Sequence, residues 1–166
     1  VMNADGTDVR VLTRSLALQG TPAWSPDERS ITVSAVVNGA PRLLAVPLDG
    51  GAAVPLVDEH AIDPVWSPDG ALVVYSGADV GTRFPVRAHS PAGRAGTTFP
   101  DVMLSRGSRH LAFMPDGRSL LMLRGESGHR NVWAVDLETG AERQVTRLPP
   151  EFGLHDFAIS PDGREL

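Results

Sequence analysis

The sequence predicts an all-β fold of repeated four-stranded blades, a β-propeller, on three observations. One short phrase recurs: Trp24-Ser25-Pro26-Asp27, Trp66-Ser67-Pro68-Asp69-Gly70, Phe113-Met114-Pro115-Asp116-Gly117 and Ile159-Ser160-Pro161-Asp162-Gly163, with leading residues 42, 47 and 46 positions apart. A second series of turns, Asp5-Gly6, Asp49-Gly50, Ala92-Gly93 and Thr139-Gly140, spaces its glycines 44, 43 and 47 apart. No long segment repeats its apolar residues at the helical period of 3.6. A fixed period in the forties with strands and turns inside each unit is the mark of a propeller.

Taken in order, residues 1–14 read as strands c and d of a blade, with strand d at Val9-Arg10-Val11-Leu12-Thr13. Full blades follow at 21–57, 63–105 and 110–148, and 155–166 reads as the start of another. Each blade opens on a short strand a that ends on the bulky residue: Pro22-Ala23-Trp24, Pro64-Val65-Trp66, Leu111-Ala112-Phe113 and Phe157-Ala158-Ile159. The Pro-Asp-Gly turn comes next. Proline presets φ at its second position, Gly takes a left-handed conformation, and Asp bonds the local backbone. Asp27, Asp69, Gly70, Asp116, Gly117, Asp162 and Gly163 are therefore read as structural turn residues. In the first blade Glu28 replaces the glycine, and a differently shaped turn is expected because a side chain at positive φ costs about 1 kcal/mol. Strand b is apolar and β-branched: Ile31-Thr32-Val33-Ser34, Leu72-Val73-Val74-Tyr75 and Leu120-Leu121-Met122-Leu123. Strand c is clearest at Asn131 to Asp136, and the glycine turn leads to strand d at Arg143-Gln144-Val145-Thr146. The second full blade carries Pro85, Pro91 and Pro100 in its outer half, which predicts a distorted edge.

Composition narrows the function. Hydrophobic residues make up 42 % of the 166, a globular composition. The net charge of −5 argues against a general nucleic-acid surface. There is no Cys, which excludes disulfides and thiolate zinc sites and fits an oxidising compartment. No apolar run reaches membrane-spanning length, so direct membrane insertion is not expected. Arg supplies every basic residue and Lys is absent, which reflects a GC-rich genome more than a binding surface.

The end segments supply an incomplete blade. Joined, residues 1–14 and 155–166 would close a four-blade ring, yet one blade would have three strands and unpaired backbone. The reading preferred is an excerpt, three full and two partial blades, of a ring with more blades. The rest of the propeller would lie in the parent chain.

The Trp-Ser-Pro-Asp-Gly phrase, the apolar strand after it and the Asp-Gly or Thr-Gly turn before strand d resemble the TolB-like, WD-like propeller repeat family. The resemblance covers nearly the whole chain. It implies a ring of six to eight blades, periplasmic or otherwise extracytoplasmic in a bacterium, that binds a protein or peptide partner. Similar blades also gate prolyl-oligopeptidase-type peptidases and sit on bacterial kinases. The repeat motif carries no catalytic residue.

The residues themselves point to no bond chemistry. There is no Gly-x-Ser-x-Gly elbow, no phosphate-binding glycine loop, no calcium loop and no His-x-x-x-His pair. No catalytic residue, metal site or cofactor is expected. The four turn aspartates serve separate blades and cannot share one cation. Trp24 and Trp66, at equivalent inner positions, and Trp133 on strand c are expected in the core. One set has a positional rationale: Thr21, Asp63, His110 and Asp156 each stand just before strand a, with Arg109 and His155 beside them. If strand a is innermost, these residues ring a channel mouth. Asp63, Arg109, His110, His155 and Asp156 are the candidate ligand-binding residues. The expected function is a non-catalytic interaction or ligand-sensing scaffold. The alternative is the gating propeller of a serine peptidase whose catalytic domain lies outside the chain.

Overall fold

The computed structural model describes residues 1–93, 99–105, 110–126 and 128–166. Its regular elements among these residues are all strands, arranged in three antiparallel four-stranded sheets whose strands follow one another in sequence order. The first blade contains β1 (Leu18–Trp24), β2 (Ser30–Val37), β3 (Ala40–Pro47) and β4 (Val54–Val57). The second contains β5 (Ile62–Trp66), β6 (Val73–Ser76), β7 (Arg83–His89) and β8 (Met103–Ser105). The third contains β9 (Leu111–Phe113), β10 (Ser119–Glu126), β11 (His129–Asp136) and β12 (Glu142–Gln144).

The core lies between blades, which explains why strand b is largely apolar, with Thr32, Ser34 and Ser76 as buried polar exceptions. Successive side chains on a strand point to opposite faces. Val73 and Tyr75 join Leu43 and Val57 of the first blade in one cluster. Val74, one residue out of step, joins Phe113, Leu120 and Met122 of the third blade in another. Leu121 and Leu123 bury on the far face of the third blade, against Leu154, Phe157 and Ile159. A strand sandwiched on both faces favours apolar residues at successive positions.

The Pro-Asp turns repeat closely. The backbone N–H of Gly70 donates to Ser67 at 2.9 Å, that of Gly117 to Met114 at 2.8 Å and that of Gly163 to Ser160 at 2.9 Å. The expected difference at Glu28 is corrected here. Glu28 takes φ 57°, and its N–H donates to Ser25 at 2.9 Å, so the turn keeps its shape. Asp27 supplies the reason, accepting from Ser25 Oγ at 2.6 Å and from Arg29 N at 3.1 Å. These bonds hold the loop against a conformational cost of about 1 kcal/mol.

In the second blade β7 pairs with β6 and with β8 in unbroken register, so the distortion its prolines predict does not show in the ladders of the described residues. Gly77 N donates to Pro85 O at 2.8 Å, and Pro85 has no N–H to return. The end segments make turns and not ladders. Arg10 N donates to Val1 O at 2.8 Å, but no strand forms over 9–13. Phe157–Ile159 likewise forms no strand, because no strand runs beside it among the described residues, although its Asp162-Gly163 turn closes.

Candidate functional site

Strand starts and turn ends of the blades use their carboxylates differently. At the turn end, each aspartate folds back on its own loop. Asp69 accepts from Ser67 Oγ at 2.6 Å and Ala71 N at 3.0 Å. Asp116 accepts from Arg118 N at 2.9 Å, and Asp162 from Ser160 Oγ at 2.7 Å and Arg164 N at 3.1 Å. The serine hydroxyl first, then the backbone N–H, holds the carboxyls of Asp27 and Asp162 below their ordinary value. Among the described residues, no three His, Cys, Asp or Glu side chains gather in a metal-binding group.

At the strand starts, the equivalent residues reach across to the neighbouring blade. Asp63 Oδ1 accepts from Thr21 N at 2.8 Å, joining the second blade to the first. His110 Nδ1 lies 3.1 Å from Asp156 Oδ1, joining the third blade to the segment that follows it. The His110 ring also meets Phe157 edge to face, with centroids 4.7 Å apart. Asp156 accepts in addition from Phe157 N at 2.8 Å. Thus four residues read from sequence as one ring of mouth groups form two pairs, each across a seam. Asp63 and His110 belong to different pairs.

Backbone strain marks the first pair. Asp63 has φ 56° immediately before Pro64, and the β5–β6 register shifts between Ile62 and Val65. Gly20 has φ 63°, and the β1–β2 register shifts between Gln19 and Ala23. A Cβ on Gly20 would overlap the Asp63 carboxylate. Glycine is required here twice, by conformation and by contact. A left-handed Asp costs about 1–3 kcal/mol, and such strain persists only where the surroundings impose it.

His110 and Asp156 remain open to solvent, with side chains 40 % and 73 % exposed, and His155 is exposed beside them. Asp63 is half-buried. Arg109 lies outside the described residues. Two further bonds in the first seam have no sequence signature. Trp66 Nε1 donates to Thr32 Oγ1 at 2.9 Å, and Tyr75 Oη donates to Glu59 Oε1 at 2.5 Å. Burial, then the Glu59 carboxylate, pushes the Tyr75 hydroxyl above its ordinary value.

Two cavities lie away from the candidate residues. One of about 540 Å³ sits at the turn end of the first seam, between Pro26, Leu56, Trp66 and Pro68. Another of about 350 Å³ is lined by Arg124, Glu126, His129, Trp133 and Gln144. Trp133, expected in the core, is therefore half-buried on a polar wall, and Trp24 is 57 % exposed.

No family model matches the chain. The Tol-Pal system protein TolB of Anaeromyxobacter dehalogenans strain 2CP-C is 28 % identical over 90 % of this chain and 35 % of its own length. The chain thus spans about a third of the length of the curated relatives it matches. Among solved structures, TolB from Acinetobacter baumannii superposes with a TM-score of 0.73 at 19 % identity, over 98 % of this chain and 40 % of that one. The AtxE2 isopeptidase superposes with a TM-score of 0.55 at 17 % identity, over 80 % of this chain and 30 % of that one. The recurring Pro-Asp turns, the three stacked four-stranded sheets and this likeness in sequence and structure make the chain a run of TolB-like β-propeller blades.

Proposed function

We propose that this segment is a non-catalytic binding scaffold that engages a protein or peptide partner at the strand-start end of its blades. The observation that supports this is the contrast between the two ends. Turn-end aspartates are spent on their own loops, whereas the strand-start end presents His110, just before β9, and His155 and Asp156, on the segment after the third blade, to solvent. Arg109 belongs to the proposed surface by its place in sequence. Asp63 positions the first two blades through Thr21. The net charge of −5 suits a polypeptide partner better than a nucleic acid. The reading extends to an extracytoplasmic bacterial setting, in keeping with the TolB likeness, and to residues 1–14 and 155–166 as parts of flanking blades in a ring of six to eight.

Alanine at Asp63 would disturb a seam, so a non-perturbing probe gives the cleaner test. A photo-crosslinking residue placed at His155 in the parent protein should give a discrete polypeptide adduct in cells. The same probe at Arg164, on a turn at the other end, should not. Equal labelling at both positions, or none at His155, removes the proposed surface. A second reading, a gating propeller beside a hydrolase domain, is favoured by the AtxE2 likeness alone. It requires a Gly-x-Ser-x-Gly elbow downstream and hydrolysis of a prolyl peptide by the parent protein.

A further inference from the structure

One face of the third blade carries chemistry that the repeat does not need. Residues directly opposite on neighbouring strands share a face. From the turn end toward the strand-start end, the β10–β11 ladder reads Leu120–Val135, Met122–Trp133, Arg124–Asn131 and Glu126–His129 on that face, with Gln144 of β12 beside Trp133. Its first half is core, since Leu120, Met122 and Val135 belong to one buried cluster. Its second half is polar around a single indole and walls the cavity of about 350 Å³. The same positions in the first blade are plain core. Matched through the pairs Trp24–Ile31 and Phe113–Leu120, Leu44 stands where the third blade has Trp133, and Ala35 where it has Arg124. Both are buried in an apolar cluster.

Three donors meet in this wall without an acceptor. Asn131 is only 6 % exposed, and its Oδ1 accepts from Thr146 Oγ1 at 2.9 Å and from Leu148 N at 2.7 Å. A backbone N–H can only donate, so the amide oxygen must face Leu148 and Nδ2 is left as a donor. Nδ2 bonds no described residue, and neither does the Trp133 indole N–H. Arg124, opposite Asn131 in the ladder, has a buried Nε with no partner. Its other nitrogens are bound, Nη1 to the Met103 carbonyl and Nη2 to the Glu142 carboxylate. Buried donors are matched in nearly all folded proteins, so this cluster points to an acceptor brought by a ligand. Charge narrows its kind. Glu142 offsets Arg124, while Glu126 is exposed and has no ion-pair partner among the described residues. A bare anion would be repelled by Glu126, whereas a ligand with both a carboxylate and an ammonium matches donors and carboxylate alike.

We propose that this cavity binds a free α-amino acid with an apolar side chain. The ligand carboxylate accepts from Asn131 Nδ2 and from the Trp133 indole N–H. Its ammonium faces Glu126, two residues beyond Arg124 on the same strand and face. Its side chain lies on the half-buried indole of Trp133. The volume of about 350 Å³ is near the lower limit of about 300 Å³ for ligand pockets, which suits a ligand this small.

The test titrates the parent protein with L-leucine and L-phenylalanine in a calorimeter. Saturable binding of one ligand per chain is expected for at least one of them below about 10 mM. The N-acetyl derivative lacks the ammonium and the amide derivative lacks the carboxylate, and each should bind at least about tenfold more weakly than the free amino acid. These comparisons need no change to the protein. Asn131→Asp keeps the acceptor for Thr146 and Leu148 but turns the free donor into a repelling charge, so it should abolish binding. Trp133→Phe keeps a ring and removes the indole donor, and should weaken binding about tenfold. No saturable binding of either amino acid up to about 10 mM overturns the proposal. So does equal affinity for either blocked derivative, or unchanged affinity in a folded Asn131→Asp or Trp133→Phe variant.

Discussion

The first and second seams join the same repeat by different chemistry. Between the first two blades the buried cluster is small, with Leu43, Val57, Ala61, Val73 and Tyr75. Three polar bonds cross that seam or brace it: Thr21 to Asp63, Trp66 to Thr32 and Tyr75 to Glu59. Between the second and third blades the cluster is larger and wholly apolar, running from Val74 and Phe84 to Met122 and Val135. There Arg124 Nη1 donates to Met103 O at 3.3 Å, at the outer edge. The difference teaches that the blade repeat specifies spacing but not the glue. Side-chain pairs of different chemistry, hydrogen-bonded in one seam and aliphatic in the other, fill the same gap.

The contrast breaks most sharply in the apolar seam. Met122→Ala should cost about 2–5 kcal/mol in urea unfolding, because Met122 is fully buried and its cavity cannot collapse between two sheets. A loss below about 1 kcal/mol would show that the second seam contributes little and that the contrast is only compositional.

A smaller loss is expected in the polar seam. Thr32→Val leaves the Trp66 indole donor without its acceptor and should cost about 1–3 kcal/mol. Adding Trp66→Phe should restore much of that loss, since the pair then copies Val74 and Phe113 of the second seam. A double-mutant cycle measures the coupling, and strict additivity would show that the bond does not link the two residues energetically.

The smallest effect has the opposite sign. Glu28→Gly removes the one side chain held at positive φ in the Pro-Asp turns and should stabilise by up to about 1 kcal/mol. A midpoint shift to lower denaturant would mean that the Glu28 side chain makes a compensating contact.

Much of the fold was legible because its signals are local. Pro and Gly act on their own φ, so the turns at Asp69-Gly70 and Asp116-Gly117 declare themselves wherever they occur. Unbroken apolar runs such as Leu120 to Leu123 announce strands buried on both faces. The candidate site was only half legible. Position in the repeat brought out Thr21, Asp63, His110 and Asp156, but not how they pair. The bonds from Thr21 and to Thr32 span 42 and 34 residues, and a hydroxyl or a backbone N–H advertises nothing about a neighbour that far away. The Glu28 turn was misjudged because propensity is a weak preference that the Asp27 bonds override.

The sequence by itself determined the all-β class, the blade period, the turns and the residues that begin and end each inner strand. Periodicity and backbone preference settle these within a few neighbouring residues. Only the tertiary structure decided which side chains meet across a seam. It paired Asp63 with Thr21, paired His110 with Asp156, and left the Trp24 indole open where Trp66 is bonded. The physical reason is that cross-seam contacts depend on the stacking of whole sheets, and a sheet's place is set by packing over its entire face and not by any residue on it.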